Sequence, residues 1–210
     1  MIKAVLFDLD GVLTTDATGT TSIIKYIDDH TDMDKKLFEK AYRKHNWKLL
    51  YGHTTHEEMW PILCADIKQA LDIDILKKAF DETPMDSEMI SLMKSLKESG
   101  YIVGMITDNK RDRVEQIIYH NGLQEIFDVV TISADIGSGK KEKPIFESTI
   151  KELDLAYEEC TFIDNNQGNL VVPNELGMST IFYDHIKRDF NHLLTKLKCM
   201  SINLESSNWL

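Results

Sequence analysis

The 210-residue chain is poor in the residues that staple small folds or interrupt regular ones, with three cysteines and four prolines. Cys64, Cys160 and Cys199 are an odd, widely spaced set without C-x-x-C spacing. Neither a disulfide framework nor a zinc site is therefore expected, and the three are read as small buried hydrophobes in a reducing cytoplasm. No apolar run approaches the ~20 residues that a membrane span needs. The apolar opening segment is too short for a secretory leader and has acids within it. Basic residues are scarce as well: 24 Lys and Arg stand against 35 Asp and Glu, a net charge of -11. That argues against duplex nucleic acid and anionic membrane as partners, since both demand a basic face. A soluble cytoplasmic protein, monomer or homodimer, is expected. Its 42% apolar and 28% charged content is that of an ordinary globular chain, long enough for one large core or a core with a smaller inserted domain.

The stretch that organises the rest is MIKAVLFDLDGVLTT at the start. Ala4-Val5-Leu6-Phe7 reads as a fully buried parallel strand, and it opens at Asp8-Leu9-Asp10-Gly11 into a loop. Open α/β sheets place ligands at that end of their strands. Two carboxylates two residues apart repel unless a cation or proton lies between them, so a hard divalent ion such as Mg²⁺ is the first inference. An Asp-Gly hairpin turn is the plain alternative. An EF-hand loop is excluded, because Gly19 occupies the place of its closing Glu.

From residue 17 to about 84 helical periodicity replaces the strand signal. Leu37, Phe38, Ala41, Tyr42, His45 and Leu49 mark one helix face within 33–51, which Gly52 ends. Thr55 and Glu58 form a capping box for the next helix, whose start Pro61 is expected to bend or delay. A short helix over 74–81 follows. After Pro84 strands and helices alternate, with strands expected at 101–106, 128–132, 160–163 and 178–183. Helices are expected from Asp86 to Gly100, through Val114 to Ile118, from Pro144 to Leu153, and over 186–200. This rhythm specifies α/β: a Rossmann-like, doubly wound parallel sheet interrupted by an all-helical insertion. The core comprises 1–15 and 85–210, and the insertion 16–84.

Chemistry-bearing residues recur at one end of successive strands: Asp8 and Asp10, then Thr107, then Asp164, with Lys143 opening a helix from the loop before the last. A nucleophilic carboxylate, a metal-binding carboxylate, a hydroxyl and a lysine together describe a phosphate site. Attack by one anion on another requires neutralised charge, from Mg²⁺ on Asp8 and Asp164 on one side and Lys143 on the other. Thr107 and main-chain N–H groups beyond it, that of Asp108 among them, hold phosphate oxygens. Asp10 is placed to protonate the leaving group and then deprotonate water. Lys140 and Lys141 are read as solvated neighbours of Lys143, and Gly52-His53-Thr54 is the insertion loop most suspected of touching the leaving group.

FDLDGVLT (7–14), ITD (106–108), KPIF (143–146) and FIDNN (162–166) resemble, in order and spacing, the four motifs of the haloacid dehalogenase superfamily of phosphatases. The resemblance covers nearly the whole chain and likens the helical insertion to that family's cap. It implies Asp8 as nucleophile and metal ligand, Asp10 as acid/base with its main-chain carbonyl on the metal, Thr107 and Lys143 on the phosphoryl group, and Asp164 completing a Mg²⁺ site. The substrate class it implies is a small soluble phosphomonoester, of sugar phosphate or nucleotide type. Dehalogenases of the superfamily generally lack the second acid, so Asp10 favours phosphate transfer. A phosphomutase and a weakly catalytic binding module stay open. Asn165 stands where many relatives carry a second Asp in the last motif, and Asn169 matches a position often Asn.

Overall fold

Ala4–Phe7 forms the central strand, β1, because four consecutive apolar side chains can be buried only with neighbours on both edges and layers on both faces. In the computed structural model, which describes residues 1–204, it is flanked by β2 (Ile102–Thr107) and β4 (Cys160–Asp164). β3 (Val129–Ile132) and β5 (Ser179–Phe182) complete a five-stranded sheet of order β3-β2-β1-β4-β5, every pairing parallel. This is the Rossmann-like α/β fold expected. Phe7 is level with Met105 and Ile163, so the chain leaves β1, β2 and β4 side by side at one edge.

Alternation along β1 sorts its side chains between two layers. Val5 and Phe7 join the core that includes α5 (Ser87–Glu98), α6 (Arg111–His120) and α10 (Phe190–Cys199). Ala4 and Leu6 face α8 (Lys143–Leu153), which brings Ile145 and Phe146 against Phe162. Short α7 (Ser133–Ile136) and α9 (Val171–Glu175) fill the connections. Pro173 lies in the first turn of α9, where its missing N–H breaks no helical bond, and the chain leaves the helix before Gly177 at φ 104°.

Four helices intervene between the β1 loop and α5: α1 (Gly19–His30), α2 (Lys35–Leu50), α3 (His56–Ile67) and α4 (Asp74–Asp81). The Thr55–Glu58 capping box forms with both of its hydrogen bonds and starts α3 at His56. Pro61 therefore neither delays nor displaces that start; it lies within the helix, past the cap that decides where the helix begins. The last helix also differs, starting at Phe190 rather than 186. The Asp184 carboxylate accepts from the N–H groups of Ile186 and Lys187, Arg188 is left-handed at φ 46°, and Asp189 then caps α10 through His192 N.

The two crossings into and out of the insertion are stitched together. Thr14 and Met85 form an antiparallel bridge, Thr15 N donates to Pro84 O at 2.9 Å, and Asp86 N to Leu13 O at 2.9 Å. Arg188 clamps the joint, donating to the carbonyls of Gly11, Val12 and Thr14 and to the Asp86 carboxylate. Among the described residues no helix is long and apolar enough to cross a membrane.

Candidate active site

At the carboxyl edge of the sheet lies a crevice of about 250 Å³, lined on its floor by Asp8, Asp10, Thr107, Asp108 and Lys140. Asp8 and Asp164 are buried there, and the ammonium of Lys140 bridges them, 2.8 Å from Asp8 Oδ2 and 2.7 Å from Asp164 Oδ2. Burial pushes the Asp8 carboxyl up to about 8; Lys140 opposes that shift and the charge of Asp164 adds to it. Burial works against the Lys140 ammonium too, but Asp8, Asp164 and Asp108 outweigh it and hold the lysine charged, above its ordinary value. The other Asp8 oxygen accepts from Leu9 N at 2.7 Å. Asp164 is oriented by Asn166 N and by the Asn169 amide, which reaches both its oxygens at 3.2 Å. Thr107 is buried beside them.

Lys143 is not part of this group. It is the first residue of α8, and because that helix turns Ile145 and Phe146 to the sheet, the Lys143 side chain stands in solvent. The expectation that Lys143 meets the phosphoryl group is corrected: the lysine at the sheet edge is Lys140. Ser138 and Glu142 close a tight turn through a 2.8 Å side-chain hydrogen bond, which throws Lys140 inward. Lys140 N donates to Asp108 Oδ1 at 2.9 Å, so the Asp108 carboxylate ties this turn down rather than capping a helix. A Cβ on Gly139 would press on that carboxylate at 3.2 Å. The glycines on either side of Ser138 are the available signal that the chain turns sharply before, not at, the Lys-Pro pair.

Asp10 lines the same crevice but is held by partners of its own. Arg113, fully buried on α6, grips it with two nitrogens at 2.8 and 2.9 Å, and the Asn109 amide adds a third contact at 2.9 Å. The Asp10 side chain is therefore no partner of Asp8 and Asp164 around a common ion, and the expected metal ligation is left to its main chain. Gly19 admits the arginine, since a Cβ there would collide with the guanidinium. Neither Arg113 nor Asn109 stands out in the sequence, although Arg113 falls one helical turn before buried Ile117.

The roof comes from α2, which contributes Arg43, Asn46 and Leu50, and from Lys110 ahead of α6. Lys110 also lines an adjoining cavity of about 340 Å³ with His56, Glu57, Asp112 and Asp135. There Tyr42 Oη and His56 Nε2 are 2.8 Å apart, and His56 Nδ1 meets Asp112 Oδ2 at 2.6 Å, a chain joining insertion to core. Gly52 and Thr54, the suspected leaving-group loop, line this second cavity and not the one holding Asp8. Gly52, at φ 68°, backs directly onto the Ala134 carbonyl, so the loop serves to dock the insertion on α7.

Asp8 and Asp164 offer hard oxygen donors, and with one ammonium for two carboxyls a second cation would favour the ionised form of Asp8. Among the described residues no three His, Cys, Asp or Glu side chains converge. Two carboxylates completed by main chain and water are what Mg²⁺ characteristically accepts. The donor set fits that ion.

Comparison with known proteins agrees with this fold. A profile of haloacid dehalogenase-like hydrolases matches residues 2–170. The chain belongs to that family. Among relatives of this hydrolase, pyrophosphatase PpaX of Bacillus mycoides is 24% identical over 183 residues, covering 86% of this chain and 82% of the relative. Pyrophosphatase PpaX of Bacillus cereus is 25% identical over 182 residues, covering 85% and 82%. A predicted HAD-like family hydrolase from Porphyromonas gingivalis superposes with a TM-score of 0.76 at 22% identity, over 94% of this chain and 98% of that one. A HAD family enzyme from Bacteroides thetaiotaomicron, in its magnesium complex, gives 0.75 at 20%, over 92% and 98%. At these identities the structures speak to the fold.

Proposed function

We propose that this HAD-like hydrolase is a magnesium-dependent phosphatase that works through an aspartyl-phosphate on Asp8. The observation that carries the proposal is the Asp8–Lys140–Asp164 bridge at the rim of the sheet, with Thr107 beside it and Asp10 held separately. Asp8 and Asp164 are the residues that would hold Mg²⁺, which would supply there the positive charge that Lys140 alone does not. Lys140 and Thr107 orient the phosphoryl oxygens. Asp8 attacks phosphorus, forming one P–O bond as the bond to the leaving group breaks. Asp10 gives the departing oxygen a proton, then takes one from the water that hydrolyses the acyl phosphate, restoring Asp8 and releasing inorganic phosphate. Arg113 fixes where Asp10 stands in both half-reactions.

Small phosphomonoesters are the proposed substrates, and the relatives named pyrophosphatase place inorganic diphosphate among the compounds to test. Turnover of p-nitrophenyl phosphate and diphosphate with Mg²⁺ is expected. Asp8→Asn is expected to lower it by about 10³-fold or more, the scale on which removing a nucleophile acts. Activity that survives Asp8→Asn would remove the nucleophile from the scheme.

A further inference from the structure

Lys110 stands where a lysine is hard to keep. Its side chain is 4% exposed, yet among the described residues its Nζ makes no hydrogen bond or ion pair; the contact it has is with the face of Tyr42, 5.7 Å from the ring centre. The carboxylates around it are engaged elsewhere, Asp10 by Arg113 and Asn109, Asp112 by His56. Burial, and Arg113 after it, pull the lysine down to about 7. An ammonium this poorly hydrated, without a counter-ion, detracts from folding unless a ligand repays it. In the same roof, among the described residues, Asn46 Oδ1 is buried without a donor. Arg43, one turn earlier on the same face of α2, lines the crevice too, its guanidinium tied among the described residues to Glu39 alone, at the surface. The floor, by contrast, has its charged side chains paired.

We propose that Lys110, with Arg43 and Asn46 of the same roof, binds an anionic group carried by the leaving group, a phosphate or a carboxylate. The preferred substrates are then phosphoanhydrides and phosphoesters whose departing half is itself charged, rather than neutral sugar or aryl phosphates. This deepens, and rests on, the phosphatase reading above. Lys110 supplies one cation, held charged by the anion set against it. Arg43, which already lines the crevice, supplies a second, and Asn46 an acceptor for a hydroxyl or protonated oxygen of the same group. Asp8 and Lys140 stay with the transferred phosphoryl group, so the two ends of the substrate meet different cations.

The test compares kcat/KM for matched pairs: diphosphate against p-nitrophenyl phosphate, and phosphoglycerate against glycerol phosphate. Lys110→Met is expected to lower at least one charged-to-neutral ratio by about tenfold or more, as befits a lost charge-assisted contact, while Lys110→Arg keeps most of it. Loss of the first ratio identifies phosphate as the bound anion, loss of the second carboxylate. Ratios within twofold of wild type for both pairs would overturn the subsite. Binding is read separately as the shift in melting temperature that diphosphate or phosphoglycerate gives Asp8→Asn protein, expected to disappear when Lys110→Met is added. A wild-type enzyme that turns over none of the four compounds defeats the phosphatase reading. The melting shift still decides the subsite, and its persistence in the double variant would reject it.

Discussion

Floor and roof of the crevice are built on opposite electrostatic terms. On the floor, the two buried carboxylates share one ammonium, and Asn166 N and the Asn169 amide complete Asp164. At the roof, among the described residues, Lys110 has no anionic partner and Asn46 Oδ1 no donor, while Arg43 reaches only Glu39 at the protein surface. A set of groups that satisfy one another is organised before any ligand arrives. A set that does not is organised for a ligand. The floor is thus suited to a fixed reaction and the roof to discrimination among substrates.

The sharpest way to break this contrast is to unbalance the floor. Lys140→Met leaves Asp8 and Asp164 facing each other without a cation, and a loss of about 3–5 kcal/mol is expected in denaturant unfolding, the range for stripping one member from a buried ion pair. Added Mg²⁺ should return part of it, by binding the folded form alone. Unfolding midpoints equal to wild type without metal would show that the lysine does not hold the floor together.

Arg113→Met frees Asp10 to wander. We expect kcat to fall by about 10²-fold, the scale of general acid–base catalysis, with KM within threefold, because the residue positions a catalytic group rather than the substrate. A change in KM alone would place Arg113 in binding instead. Gly19→Ala, which crowds the same guanidinium, should move kcat in the same direction by less.

The link between roof and core is weaker. Despite the upward push of burial, the His56 hydrogen bond holds the Asp112 carboxyl below its ordinary value. An acid lowered on folding adds stability above its unfolded value, about 4, and loses it as pH falls through the lowered one. The Asp112 side chain is half exposed, so solvent screens the pair. Asp112→Asn should therefore cost about 1 kcal/mol at pH 6, and its stability curve should converge on that of wild type as pH falls below 4. Parallel curves down to pH 3 would mean the pair contributes through packing alone.

The smallest effect is expected from Lys143→Ala: within about 0.5 kcal/mol in stability, as for surface changes, and within twofold in turnover. A large loss of activity would restore Lys143 to the site.

Asp8, Thr107 and Asp164 are legible in the sequence because each ends a short apolar strand, and parallel pairing carries strand ends to one edge whatever the loops do. The helical insertion is legible from its periodicity and its capping box. Lys140 is not, because Lys-Pro followed by an apolar pair looks like a unit, whereas the helix that Pro144 helps begin must turn that pair inward and its first lysine outward. Arg113 and Lys110 sit in a basic run, Lys-Arg-Asp-Arg, whose charges read as solvated. Only the three-dimensional placement of α6, aimed at Asp10 and under Tyr42, buries two of those cations and leaves Arg111 outside.

The stitched crossing at Thr14 and Met85 has a mechanical consequence. Two chain segments bonded side by side form a ribbon, and a ribbon flexes about one axis while resisting shear and torsion. With Arg188 riveting it to the first loop, and with His56 on Asp112 and Leu50 O on Ser133 at the other end, the insertion is moored at two separated points. A beam fixed at both ends keeps its span, and the span here is the distance from Arg43 and Asn46 to Asp8.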